Sequence, residues 1–155
     1  MADIWEEYQK NVDEEELNRQ IEQARKNSFE DLPAGTYNVE LSHLEQKLSK
    51  TGKPMVSISM KVLDGRHRGR LMFMNRVIGQ TKNDGRMIGG MESWLAKLGA
   101  EDEKGALIPV KFHDYPQFNR LIMDIKEAVD DMSMEYEVEY DSKEFDAIKI
   151  LRILD

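Results

Sequence analysis

The chain has 155 residues and a net charge of −8, from 22 basic and 30 acidic side chains, and it has no cysteine. The absence of cysteine excludes disulfides and thiolate metal sites and favours a cytoplasmic compartment. The N-terminus lacks a signal-peptide pattern and no apolar run approaches the ~20 residues of a membrane span, so we expect a soluble intracellular protein with a single main core.

The first predicted element is a helix from Asp13 to about Asn27. Asp13 and Glu16 have the spacing of a capping box, and the apolar stripe behind them is narrow. A stripe this narrow cannot form a core, so we interpret residues 1–28 as an acidic helical arm. The arm either docks on the body or a second subunit, or is disordered in the free protein. The side chains that would anchor a docked arm are Ile4, Trp5, Tyr8 and Val12.

Residues 29–155 form the predicted body, which begins with three strands. The second strand, residues 56–62, alternates apolar and polar side chains, which is typical of a half-buried strand. The third strand, residues 70–78, is apolar on both faces apart from Asn75 and Arg76. One face of the third strand is therefore expected to serve function as well as packing.

The hydrophobic pattern then changes to a helical period over residues 87–98, and Gly99 is placed to end this helix. Residues 107–112 fit either a short strand or an extended link. A second helix is predicted to open near Pro116, because proline suits the first turn of a helix.

Two strands, residues 136–140 and 147–154, close the chain. Three strands, a helical insertion and two strands are the order of the OB-fold, a five-stranded barrel. We therefore predict a mainly β fold, an OB-fold-like barrel with two helices and the N-terminal arm. Such barrels bind nucleic acid on strands two and three and on the loops that join strands one to two and four to five.

Positive charge is concentrated in residues 42–76, which carry eight basic and two acidic side chains, whereas residues 1–31 net −6 and residues 112–155 net −7. Because this segment is predicted to form strands, its charge would lie on an ordered surface, which favours a nucleic-acid partner. An ordinary solvated face is the alternative. The basic residues are Lys47, Lys50, Lys53, Lys61, Arg66, Arg68, Arg70 and Arg76.

Aromatic side chains are the second requirement for holding an unpaired strand, since each stacked base contributes roughly 1–3 kcal/mol. Phe73 lies among the basic residues and either stacks on bases or packs in the core, depending on strand register. Phe145 and Lys143 lie in the predicted loop between strands four and five and are further binding candidates. Tyr140 shares a strand face with Val138, so a core position is favoured for it.

No arrangement of residues indicates catalysis. His43, His67 and His113 are scattered singly, without the spacing of a metal site. Residues 49–54 lack the first glycine and the final Ser or Thr of a phosphate-binding loop, and residues 130–131 lack the spacing of a calcium loop. We therefore expect a non-enzymatic protein without a metal or other cofactor.

Three segments in order carry a resemblance to a known family: residues 29–37 (FEDLPAGTY), 49–55 (SKTGKPM) and 69–73 (GRLMF). Together they resemble a family of small phage and prophage proteins, long regarded as uncharacterised. Members of that family are thought to act as OB-fold, single-stranded-DNA-binding proteins in phage replication or recombination. The resemblance covers roughly residues 29–155.

The resemblance implies that Lys47, Lys50, Lys53, Lys61, Arg70, Phe73 and Arg76 line the DNA path. It departs from bacterial single-stranded-DNA-binding proteins at the C-terminus, where their flexible acidic tip recruits partners. Here residues 147–154 are predicted to form a strand, so the N-terminal arm is the expected contact for a phage or host recombination or replication protein.

The leading hypothesis is a non-enzymatic protein that coats single-stranded DNA in the host cytoplasm with little sequence preference, as a homo-oligomer. The alternative is a phage protein that binds a host nuclease or recombination enzyme through its acidic surfaces and inhibits or recruits it. Alternating Glu135, Glu137 and Glu139 motivate this alternative.

Overall fold

The structure is a computed structural model that describes residues 13–29 and 32–154, with side chains described for 13–21 and 32–154. The described residues form two units, the first helix and the body of residues 32–154, and each is described by itself. The elements are α1 (Glu14–Phe29), β1 (Gly35–Leu48), β2 (Pro54–Val62), β3 (Leu71–Val77), α2 (Asp84–Ala96), α3 (Tyr115–Asp131), β4 (Glu135–Tyr140) and β5 (Ile148–Leu154).

The predicted helix near the N-terminus is confirmed as α1. The backbone N of Glu16 donates to the Asp13 carboxylate at 3.1 Å, so Asp13 caps the helix as its spacing predicts. The predicted anchors Ile4, Trp5, Tyr8 and Val12 lie outside the described residues, and the predicted division between residues 28 and 29 stays a prediction.

The mainly β fold is confirmed: five antiparallel strands form one open sheet in the order β3-β2-β1-β4-β5. This is the order that results when a five-stranded OB barrel is opened between its third and fifth strands. The sheet is open rather than a closed barrel, because β3 and β5 are its two edges. With the helices inserted after β3, the architecture is compatible with an OB-like fold.

The core lies on the inner face of the sheet. Val56, Ile58, Met60 and Val62 of β2 are at most 1% exposed, which confirms the period-two prediction for that strand. Tyr136 of β4 is fully buried, and its hydroxyl donates to the backbone O of Leu98 at 2.5 Å. This burial raises the pKa of the Tyr136 hydroxyl well above its usual range, because the charged phenolate would be desolvated.

Helix α2 covers the sheet next to β5. Met91, Trp94 and Leu95 are buried, and the Trp94 indole N–H donates to the backbone O of Ile148 at 3.0 Å. The helix ends shortly before Gly99, whose φ of +65° suits glycine after a helix C-terminus, as the sequence predicts.

Helix α3 packs its apolar stripe on the sheet through Phe118, Ile122, Ile125 and Val129. Asp114 caps its N-terminus by accepting from the backbone N of Gln117 at 2.7 Å, and a proline occupies the first turn as predicted. The preceding residues 107–112 form an extended link with a single bridge, between Glu101 and Leu107. Within residues 13–29 and 32–154, no helix has the length and apolar character needed to span a membrane.

Candidate nucleic-acid interface

The outward side chains of β2 and β3 form one surface, which we call the β2–β3 face. The two strands pair in register, with Ser57 opposite Asn75, Ser59 opposite Phe73 and Lys61 opposite Leu71. The paired segment spans seven residues on each strand, or about 20 Å at the usual rise per residue. The face consists of Met55, Ser57, Ser59, Lys61, Leu71, Phe73, Asn75 and Val77.

Phe73 points away from the core. Its neighbours Met72 and Met74 are at most 4% exposed, whereas Phe73 is 55% exposed. The alternative in which Phe73 packs in the core is therefore wrong. Its cross-strand neighbour is the small residue Ser59, which is 5% exposed, so more than half of the Phe73 side chain is open to solvent beside a covered serine.

The loop that joins β1 to β2 is held by its own hydrogen bonds at one end of the face. The backbone N of Ser49 donates to the backbone O of Lys53 at 2.7 Å, and the Ser49 hydroxyl accepts from the backbone N of Lys53 at 3.1 Å. Gly52 supplies the positive φ of +81° that closes the turn. Lys50 is exposed and Lys53 is half-buried, so both lysines are carried by an ordered loop.

The turn that joins β2 to β3 lies at the opposite end of the face and is also ordered. The backbone N of Leu63 donates to the backbone O of Asn38 at 2.9 Å, and the Asn38 amide donates to the Asp64 carboxylate at 3.0 Å. Arg66 and Arg68 are exposed on this turn. Arg70 is half-buried at its base and takes part in further interactions.

Lys47 lies on β1, beside the face, with a carboxylate next to it. Its ammonium is 3.8 Å from the Glu45 carboxylate, and His43 Nε2 is 3.2 Å from the same carboxylate. All three side chains are about half exposed, so the ion pair between Lys47 and Glu45 is solvated and contributes at most about 1 kcal/mol. Glu45 therefore offsets part of the positive charge that Lys47 brings to this side of the face.

Arg76 is not on the β2–β3 face. Its side chain points inward and is 5% exposed, and Nη2 donates to Asp146 Oδ1 at 2.6 Å. Strand alternation explains this placement, since Arg76 shares its side of β3 with Met72 and Met74. The guanidinium of Arg76 is therefore paired with Asp146 on the inner side of the sheet, and not on the face where the sequence predicted its phosphate contact.

The loop between β4 and β5, residues 141–147, carries Phe145 and Lys143. Phe145 is 67% exposed and Lys143 is exposed, whereas Tyr140 is 7% exposed, which confirms its predicted core position. The backbone N of Lys143 donates to the Asp141 carboxylate at 3.0 Å, so a negative charge lies close to this lysine.

The outward side chains of β4 and β5 form a second surface, the β4–β5 face, with alternating carboxylates. Glu137 accepts from Arg152 at 3.3 Å, and Glu139 lies directly opposite Lys149 on the neighbouring strand. The acidic row is therefore partly neutralised by the adjacent strand. The charged members of this face are Glu135, Glu137, Glu139, Lys149 and Arg152.

The structure thus brings part of the predicted site together on one pair of strands. Lys61 and Phe73 share the β2–β3 face, and the exposed or half-buried cations at its two ends are Lys50, Lys53, Arg66, Arg68 and Arg70. Among the described outward positions of β2 and β3 there is no carboxylate. Within the described part of the chain, no group of three or more metal-ligating side chains is arranged to hold a metal ion.

Sequence reasoning missed the polar floor of this face. Ser57 pairs with Asn75 and Ser59 pairs with Phe73. Because serine is small, these positions add polar groups to the face without the bulk of a large side chain. Strand alternation was the available signal, because these serines occupy the positions between the buried residues of β2. By contrast, the contact between Arg76 and Asp146 joins residues 70 positions apart and has no local signal.

The fold and this surface define a β-rich domain of OB-like architecture with helical insertions. Residues 19–102 match the family described as a protein of unknown function (DUF669), and because this match covers more than half of the chain, the chain belongs to that family. The matched range contains β1 to β3 and α2, and so the whole β2–β3 face. No curated protein matches the chain at a significant level.

Proposed function

We propose that the chain is a non-enzymatic single-stranded-DNA-binding protein with little sequence preference, which binds the strand along the β2–β3 face. The observation that carries the proposal is an exposed Phe73 beside small polar residues, on a face without carboxylates that has cations at both ends. Aromatic platforms between cations are the usual means of holding unpaired nucleic acid.

The dimensions of the face support the same proposal. Cations at the β1–β2 loop and cations at the β2–β3 turn are separated by a paired segment of about 20 Å, and Lys61 lies at the turn end of that segment, opposite Leu71. An unpaired strand laid along this segment meets cations at both ends, with Phe73 between them. Low sequence specificity is part of the proposal, because stacking accepts every base and cations contact only the backbone of the strand.

The resemblance to phage and prophage proteins extends the proposal to phage replication or recombination in the cytoplasm of the host cell. The three segments that carry it lie within residues 29–73, and therefore inside the range that matches the uncharacterised family. Assembly as a homo-oligomer and recruitment of a phage or host protein through the N-terminal arm are parts of the same proposal.

A titration with short oligo-dT over a range of salt concentrations tests this function. With about four phosphates contacted, the logarithm of the binding constant should fall with the logarithm of salt with a slope of about −3. Binding that does not depend on salt, or no binding at low salt, would overturn the proposal. The acidic-surface alternative would be supported instead by two results together: the protein does not bind oligo-dT, and it captures a host nuclease from lysate in a pull-down that survives nuclease treatment.

A further inference from the structure

A single guanidinium connects β3 to the loop between β4 and β5. Nη2 of Arg76 donates to Asp146 Oδ1 at 2.6 Å and to the backbone O of Phe145 at 3.2 Å. The same guanidinium carbon lies 4.2 Å from the centre of the Phe145 ring. One side chain of the strand therefore contacts the carboxylate, the backbone and the ring of two successive loop residues.

The exposures of these residues separate their roles. Arg76 is 5% exposed, so its charge is removed from solvent, while Phe145 is 67% exposed. A cation within about 6 Å of an aromatic face is attracted to it, so the guanidinium favours one orientation of the ring. The rest of the ring stays accessible, because a single side chain covers only part of it.

The loop has its own hydrogen bonds, but these do not reach the ring. The backbone N of Asp141 donates to the backbone O of Ala147 at 2.9 Å, and the backbone N of Glu144 donates to the backbone O of Asp141 at 3.1 Å. They close the loop and shape its first half. Among the described contacts, only those of Arg76 involve the Phe145 ring or the Phe145 carbonyl.

We propose that Arg76 is a positioning residue that holds Phe145 as a fixed platform for one base of single-stranded nucleic acid, with the guanidinium supporting the ring and the base on its accessible side. This inference rests on the proposed function. A side chain already fixed in its binding orientation loses less conformational freedom when the ligand arrives, which strengthens binding. Arg76 then contributes to affinity without contacting a phosphate.

This role differs measurably from a phosphate contact. Each phosphate contact on a single strand contributes about 0.7 to the salt slope. If Arg76 positions the ring, its loss weakens binding and leaves the slope unchanged. If it contacts a phosphate, its loss weakens binding and makes the slope shallower by about 0.7.

The experiment is a titration of the full chain with oligo-dT, comparing wild type with Arg76→Gln, Phe145→Ala and the double variant. We expect each single variant to bind roughly 5- to 100-fold more weakly, the range for one stacked base, with the wild-type salt slope. The double variant should bind no more weakly than Phe145→Ala, because both changes remove the same stack. Arg152→Gln removes an exposed arginine that is paired with Glu137 on the β4–β5 face, and this matched control should bind as wild type does.

Two further measurements keep the test sound if Arg76→Gln folds poorly. Asp146→Asn weakens the contact while keeping the size of the side chain; it also removes a carboxylate, so its affinity is compared with wild type at high salt, where charge effects are screened, and it should be reduced there. A series of oligo-dT strands, each with a single abasic site at a different position, gives the second measurement. Wild type should lose affinity when the abasic site is at one particular position, and Phe145→Ala should lose no further affinity for that oligonucleotide. Local damage to the fold would not produce this position dependence.

The outcomes separate this inference from the function on which it rests. If wild type does not bind oligo-dT, the proposed function fails and this inference fails with it. If wild type binds and both Phe145→Ala and Arg76→Gln bind equally well, the function stands and the positioning role is overturned. The positioning role would also be overturned if the salt slope of Arg76→Gln were shallower than that of wild type. A double variant whose affinity is lower than that of Phe145→Ala by the full factor lost in Arg76→Gln would overturn it as well.

Discussion

On β2 and β3 the outward positions carry serines, an asparagine, Lys61 and Phe73, whereas on β4 every second position carries a glutamate. Both surfaces arise from the same alternation of strand side chains over one shared core. The difference shows that the net charge of −8 describes neither surface. A strongly acidic chain can still have two neighbouring strands without an outward carboxylate, because its carboxylates lie on other elements.

The largest expected effect comes from reversing the charges at one end of the β2–β3 face. Lys50→Glu combined with Lys53→Glu should weaken oligo-dT binding about 100-fold at low salt and make the salt slope shallower by about 1.4, since two phosphate contacts are lost. The fold should be unaffected, because the loop contacts of Lys53 are made by its backbone.

The matched control places two charge reversals on the β4–β5 face. Lys149→Glu combined with Arg152→Glu changes the net charge by the same amount, so both variants have the same long-range repulsion. If the control loses as much affinity as the loop variant, the effect is general electrostatics and the comparison between the two faces fails.

Phe73→Ala should have the next largest effect, weakening oligo-dT binding about 10-fold through the loss of one stacked base. The melting temperature should change little, because the ring is 55% exposed and removing it leaves no buried cavity. Leu151→Ala is the control, since Leu151 is 50% exposed on β5 and lies away from the proposed path. Unchanged affinity, with or without a loss of stability, would remove Phe73 from the proposed path of the strand.

Glu45→Gln should have a smaller effect in the opposite direction. Removal of the carboxylate beside Lys47 and His43 should tighten binding about threefold at low salt, because a charge at contact distance in water contributes on the order of 1 kcal/mol. Glu137→Gln, the equivalent change on the β4–β5 face, should have almost no effect. Equal tightening by both variants would indicate that the strand does not distinguish the faces.

Tyr136 tests the shared core and should leave affinity unchanged. Its pKa is raised by burial, so the folded state keeps the proton while the unfolded chain releases it near pH 10. The contribution of Tyr136 to stability is therefore complete below pH 10 and is lost as pH rises further. The free energy of unfolding in urea, measured from pH 8 to 11, should show this decline. Tyr136→Phe should show a smaller decline, and at neutral pH it should be less stable by about 1 kcal/mol, because the hydrogen bond of the hydroxyl is lost. An identical decline in Tyr136→Phe would contradict this cause.

Much of the fold followed from the sequence because its signals are local. The alternation in β2, the helical spacing before Gly99 and the proline that opens α3 each depend on neighbours within a few residues, and each prediction is confirmed. The openness of the sheet between β3 and β5 did not follow, because it depends on how distant edges meet.

The site followed only in part, for a related reason. The net positive charge of residues 42–76 indicated the segment. It did not indicate which side of the sheet each side chain faces, because strand register decides the facing. Phe73 and Arg76 show the consequence, because three positions along one strand separate an exposed ring from a buried guanidinium. The pairing of Arg76 with Asp146 required the fold itself, since β3 and the β4–β5 loop are remote in sequence.

Photo-cross-linking of oligo-dT that carries a photoreactive thymidine, followed by mapping of the linked peptides, locates the bound strand on the unaltered protein. We expect cross-links in the β1–β2 loop, at Phe73 on β3 and at Phe145. Cross-links confined to the outward residues of β4 and β5, or to α3, would contradict this expectation.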